Sequence, residues 1–184
     1  MTLSKQTKHY FRWLCAAAAV LLVGCTHAPI EPPLTTVPVV DLSRFAGEWY
    51  VIAHIPPFIE KDAHNSIESY RIEGDGTVAI SFTYREGAID GAPKRISSRG
   101  FVRNPPANSI WGIQFIWPIE ADYRITYLAP DYSQTIVSRD KRDYVWIMAR
   151  TPRISESDYQ RLIALVDQQG YDMSRLRKVP QEWK

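Results

Sequence analysis

Two cysteines and four histidines are the side chains of this 184-residue sequence best suited to nucleophilic, acid–base or soft-metal chemistry near neutral pH. Their placement offers those chemistries no site. His9, Cys15 and Cys25 fall in the N-terminal stretch, His27 follows closely, and only His54 and His64 lie deeper in the chain. No Gly-x-Ser-x-Gly elbow is present to expose a serine. His54 and His64 have no companions at metal-ligand spacing and read as surface or rim residues. No catalytic residue, metal or cofactor is expected. The sequence instead offers aromatic side chains at regular spacing, with 6 Trp, 10 Tyr and 6 Phe. Aromatic surfaces carrying a few hydroxyls belong to the chemistry of binding rather than bond-making.

Cys25 carries a different chemistry. Lys5, Lys8 and Arg12 form a basic start, and an unbroken apolar run of 11 residues follows from Trp13 to Val23. A membrane-spanning helix needs about 20 apolar residues, whereas an export-signal core needs roughly 7 to 15. Residues 1–24 are therefore read as a cleaved signal peptide. Leu22-Val23-Gly24-Cys25 resembles the bacterial lipobox, in which the cysteine thiol accepts a diacylglycerol and the chain is cut just before it. That resemblance makes Cys25 the site of lipid attachment. Thr26 stands where an Asp would mark inner-membrane retention in enterobacterial lipoproteins, which favours the outer membrane. Each buried CH₂ adds about 0.8 kcal/mol of membrane affinity, so two or three chains hold a protein almost permanently.

Without residues 1–24 the charges are 19 basic against 20 acidic, a formal balance of −1. A chain this close to neutral lacks the basic footprint of a nucleic-acid binder. From Thr26 to Val40 the sequence holds Pro29, Pro32, Pro33 and Pro38 and little charge. Residues 25–40 are read as a semi-rigid tether that keeps the folded part off the bilayer. The folded domain is expected over 41–184.

Short β-branched and aromatic runs predict strands near 47–55, 65–73, 77–85, 94–103, 109–117, 122–128, 134–139 and 144–150. Turn chemistry separates them, as at Gly74-Asp75-Gly76 and Asn104-Pro105-Pro106. The fold class is all-β: an eight-stranded antiparallel up-and-down barrel, with a sandwich as competitor. One C-terminal α-helix follows Ser155, with Tyr159, Leu162, Ile163 and Val166 on one stripe and Gly170 as its stop, packed outside the barrel. A short edge strand is expected around Leu176–Val179.

Alternation along the strands sorts wall from interior. It turns Glu68 and Tyr70, Phe82, Ile96 and Ser98, Ile113 and Phe115, Tyr123 and Tyr127, and Trp146 inward. A solid core favours Leu, Ile and Val, and a ligand cavity favours aromatics with a few polar groups. Periodicity alone is equally compatible with an open cavity and with a filled barrel.

Asp41-Leu42-Ser43-Arg44-Phe45 followed by Gly47-Glu48-Trp49-Tyr50 resembles the Gly-x-Trp-Tyr opening of the lipocalins. Pro130-Asp131-Tyr132-Ser133 resembles part of their second signature, which departs at Ala129. Tyr144 to Pro152, with Arg150, resembles the third. With the lipobox, the chain is similar to bacterial outer-membrane lipoprotein lipocalins of the Blc type, a branch related to apolipoprotein D. The resemblance covers roughly 41–180. It implies that Trp49 closes the barrel base with Arg150 laid across its ring, a structural pair. It also implies a cup for fatty acids or lysophospholipids, with Tyr70, Phe82 and Trp146 at cavity positions; alternation adds Phe115, Tyr123 and Tyr127.

The function expected is a non-enzymatic lipid carrier or store, anchored in the outer membrane and facing the periplasm. The ligand headgroup would lie near the 56–64 and 118–120 loops. Alternatives are a structural or assembly lipoprotein with a filled barrel, or a lipid-processing enzyme. Exposed aromatics near the mouth leave a homodimer open.

Overall fold

The structure, a computed structural model, describes residues 32–183. The signal peptide and Cys25 lie outside the described residues. Nine strands form one antiparallel sheet: β1 (Gly47–Ile55), β2 (Ala63–Ile72), β3 (Val78–Glu86), β4 (Pro93–Val102), β5 (Ile110–Ile116), β6 (Ile119–Leu128), β7 (Gln134–Ser138), β8 (Val145–Ala149) and β9 (Arg177–Lys178). Each of the first eight pairs with its chain neighbour, and β1 pairs with both β2 and β8, which closes the barrel. Closure leaves these strands no free edge to recruit another chain. β9 is the expected short edge strand, pairing with β1 at Ala53 and His54.

Local chemistry sets the ends of these elements. The β2–β3 turn is held by Asp75 Oδ1, which accepts from the Thr77 amide at 3.0 Å, with Gly76 at φ +80°. Helix α2 (Glu156–Gln168) begins at Ser155, whose Oγ accepts from the Asp158 amide at 3.0 Å and donates to its carboxylate at 2.8 Å. It ends before Gly170 at φ +83°. Leu162 and Val166 are buried, and they join Ile136, Val145 and Ile147 in an apolar layer between helix and wall.

A one-turn helix that the sequence pattern does not reveal, α1 (Leu42–Phe45), lies under the barrel, with Asp41 accepting from the Ser43 and Arg44 amides. It brings Phe45 against Trp49, Tyr70 and Trp111, with ring centroids 5.1–5.6 Å apart. The Arg150 guanidinium lies 3.8 Å from the Trp49 ring centroid. Its Nη1 donates to the Glu48 carbonyl, and Nη2 donates to those of Arg44, Phe45 and Ala46, at 2.7–3.0 Å. The arginine thus satisfies the carbonyls that a short helix leaves unpaired at its C-terminus.

Residues 34–40, expected to belong to the tether, pack on the barrel: Leu34 and Val40 are buried. The Val37 amide donates to the Ile125 carbonyl, the Val40 amide to that of Ala107, and the Leu34 amide to Asp140 Oδ1. Proline fixes an extended backbone, but the residues between the prolines still find apolar contacts and carbonyl partners on the wall.

Extra residues shift the alternation. In β1, two steps from Val51 to Ala53 match one step from Met148 to Ile147; in β6, two steps from Ile125 to Tyr127 match one from Val137 to Ile136. Each such bulge moves the side chains beyond it to the opposite face.

Replacing Arg150 by Ala should cost about 2–4 kcal/mol in urea unfolding, since it removes a cation–π contact and several charge-assisted hydrogen bonds. Affinity for a ligand in the cup should stay within about twofold. An unchanged unfolding midpoint would show that the base closes without it.

Candidate ligand-binding site

The barrel is plugged at the α1 end and hollow toward the end carrying the β1–β2, β3–β4, β5–β6 and β7–β8 connections. The hollow is a cavity of about 150 Å³. Phe82 from β3, Ile96 from β4, Ile113 from β5 and Tyr123 from β6 form its walls, and Phe115 and Ile59 stand at its opening. A wider depression of about 750 Å³, between Ile67, Thr83, Arg95 and Trp183, lies on the outer face and opens to solvent. The interior space is the smaller of the two, but it is the one with the enclosed apolar lining that a hydrophobic ligand requires.

Of the residues expected in the cup, Phe82, Phe115, Tyr123 and Trp146 line it. Tyr70 sits below the floor in the aromatic plug, its hydroxyl 2.6 Å from that of Tyr123. Tyr127 is a correction: the β6 bulge turns it to the outer face. There its hydroxyl accepts from Arg161 Nη1 of α2 at 2.7 Å, and its ring joins the layer under the helix. His54, expected at the surface or rim, is buried, because the β1 bulge turns it inward beside Trp146. His64 stays at the rim side, near the Asp62 carbonyl.

Glu60 has no counterpart in the sequence reading. It belongs to a 3-10 turn (Phe58–Glu60) that folds the β1–β2 connection over the cup. Its Oε2 accepts from Trp146 Nε1 at 3.0 Å. Burial pushes this carboxyl up to about 8, against the pull of the Trp146 bond and helped by nearby Glu68. Burial also lifts Glu68, on the cavity wall, to about 7. His54 is pulled down to about 4 by burial, with the Arg177 charge adding to the effect. His54 Nδ1 lies 3.8 Å from Glu60 Oε2 and makes no hydrogen bond. At that separation, and with burial driving both groups to their neutral forms, the two are not an ion pair at neutral pH. The cavity wall is mainly apolar, with burial holding Glu60 and Glu68 above the usual carboxylate range and with Asp122 and Arg139 also on its lining. Among the described residues no cluster of three or more His, Cys, Asp or Glu could hold a metal ion, and no helix is long and apolar enough to cross a membrane.

A closed antiparallel barrel, sealed by aromatics at one end and hollow at the other, defines a class of cup-shaped binders of small hydrophobic molecules. The chain belongs to the lipocalins: the model of the lipocalin-like domain matches residues 40–181. It is 28% identical over 167 residues to the outer membrane lipoprotein Blc of Escherichia coli, covering 90% of this chain and 93% of that one. It is 29% identical over 150 residues to temperature-induced lipocalin-1 of Arabidopsis thaliana, covering 77% and 79%. The solved structure of insecticyanin from the tobacco hornworm Manduca sexta superposes with a TM-score of 0.60 at 17% identity, covering 83% and 86%, which shows the shared fold.

Glu60 ionises near 4.5 in an exposed chain and near 8 in the folded cup. The folded state therefore keeps a proton that the unfolded chain releases between those values. This contribution is fully favourable below the lower value and is lost as pH rises to the upper one. Gln at position 60 keeps an acceptor for Trp146 and cannot ionise. Glu60→Gln should therefore match the parent in urea unfolding near about pH 5 and exceed it near about pH 8. Equal midpoints at the higher pH would mean that Glu60 is solvated.

Proposed function

We propose that this chain is an outer-membrane lipoprotein that binds, and carries or stores, single-chain lipids in the cell envelope, without catalysing a reaction. Lipid on Cys25 anchors it, and the folded domain faces the periplasm. The observation that carries the reading is the mainly apolar cavity retained above a solid aromatic plug. A filled barrel would have continued the plug upward. Fatty acids and lysophospholipids suit the space, because burying an acyl chain gains about 25 cal/mol per Å² and requires no hydrogen-bond partner. Ligand sites usually span about 300–1,000 Å³, and this cavity measures about 150 Å³. One chain, entering tail first with its remainder against Ile59 and Phe115, is the ligand such a space favours. The headgroup then stays at the mouth, outside the mainly apolar interior. The lipobox-like Leu22–Cys25 segment, and the name of the Escherichia coli relative, support the anchored location.

The reading is tested by displacing a fluorescent fatty acid with palmitate and lysophosphatidylcholine, which should compete with dissociation constants on the order of micromolar or tighter. Absence of competition by either lipid would sink it. Phe82→Ala and Trp146→Ala should weaken binding by about tenfold or more, whereas Tyr127→Phe should leave it unchanged, since Tyr127 faces the helix. In cells, Cys25→Ala should move the protein out of the outer-membrane fraction. Its retention there would argue against the lipid anchor.

A further inference from the structure

Large apolar side chains crowd one end of the molecule. Phe58 is 79% exposed, Ile116 73%, Trp117 81% and Ile119 72%, with Ile59 and Phe115 also more than half exposed. Phe58 and Ile59 lie on the β1–β2 connection and the other four at the tip of the β5–β6 hairpin, beside the mouth, and Ile59 and Phe115 border the cavity itself. Contiguous exposed apolar surface of this kind marks an interaction site.

The path of the N-terminal segment says which partner it faces. From Asp41 under the base, the chain runs back along the outer wall, past Ala107 and Ile125, to Leu34, whose amide donates to Asp140 in the β7–β8 connection. The described chain therefore begins on the mouth side of the barrel. Eight residues lie between Cys25 and Leu34, a reach of about 30 Å at full extension. A ten-residue strand such as β6, tilted as in barrels of this size, stands about 25 Å tall. Turning the base to the membrane would consume nearly all of that reach, whereas turning the mouth to it needs little.

We propose that the mouth is a membrane-docking surface: the Phe58–Ile59 turn and the Phe115–Ile119 hairpin insert into the interfacial layer of the bilayer that holds the protein's own anchor. The proposal rests on the reading of Cys25 as lipidated. Trp117 at the hairpin tip suits that layer, where an indole buries its ring and keeps its N–H near water. A lipid chain could then pass between bilayer and cup without crossing the aqueous phase.

The test uses the mature lipidated chain in vesicles of phosphatidylethanolamine and phosphatidylglycerol, with nitroxide labels at Ile116→Cys or Trp117→Cys and a control at Ile72→Cys near the base. The mouth labels should be accessible to oxygen and shielded from a water-soluble nickel reagent, and the base label should show the reverse. Mouth labels open to the nickel reagent overturn the proposal. So do mouth labels held at a fixed distance from those of another molecule, which would assign the crown to a second copy of the chain. As an independent readout, the Ile116→Ser, Trp117→Ser double variant should take up a fluorescent fatty acid from vesicles about tenfold more slowly while binding it equally well. An unchanged uptake rate also overturns the proposal. Mass spectrometry of the anchored chain and its affinity for the free fatty acid report separately on the lipid anchor and on the carrier reading.

Discussion

Arg150 lies where the two ends of the barrel wall meet, just past β8 and beside the start of β1. A guanidinium buried there without partners would be costly, and a three-sided seam of helix, first strand and last strand would leave carbonyls without donors. Each problem resolves the other. Four carbonyls from Arg44 to Glu48 receive its protons while its face lies on the Trp49 ring. Planarity matters, because a lysine ammonium cannot stack on an indole and fan out to several acceptors at once. With the seam locked, Phe45, Tyr70 and Trp111 pack above it as a floor, and the upper half of the barrel can remain hollow without a second open end.

Polarity is graded above that floor. Tyr70 and Tyr123 share a hydrogen bond where the plug gives way to the cavity, Glu68 stands on the wall, and Glu60 closes over the top bonded to Trp146. Carboxyls in such a place are held neutral by their surroundings. The cup therefore sets hydrogen-bonding groups into a mainly apolar wall, on which Asp122 and Arg139 also lie. His54 fits the same pattern, a basic group kept neutral by burial.

Much of this arrangement could be read directly. Trp49 and Arg150 sit in motifs, the caps of α2 follow from Ser155 and Gly170, and the strand breaks coincide with Gly, Pro and Asp clusters. Phe82, Tyr123 and Trp146 obey simple alternation. A bulge adds a residue with no compositional mark, so counting by twos beyond it gives the wrong face, as for Tyr127. His54, read as a surface or rim residue because it lacks metal-ligand companions, lies past another bulge and is buried. Glu60 was hidden for another reason. Its inward turn depends on Trp146, 86 positions away, and no local pattern encodes such a partner. The segment from Leu34 to Val40 looked like a spacer because proline dominates its composition, although Leu34 and Val40 decide its packing.

The bulge in β6 has an evolutionary reading as well. Thr126 is the supernumerary residue, and its hydroxyl is taken up by Ser138 and Gln169 on the outer side. Were it deleted, the strand beyond would flip, carrying the Tyr127 ring into the barrel and stripping the helix of a contact. One-residue insertions and deletions in the wall can thus resize the hollow in a single step, something that point substitutions, exchanging one side chain at a time, reach only gradually. Lineages sharing this scaffold have in strand length a coarse adjustment for capacity, separate from the fine adjustment offered by side-chain identity.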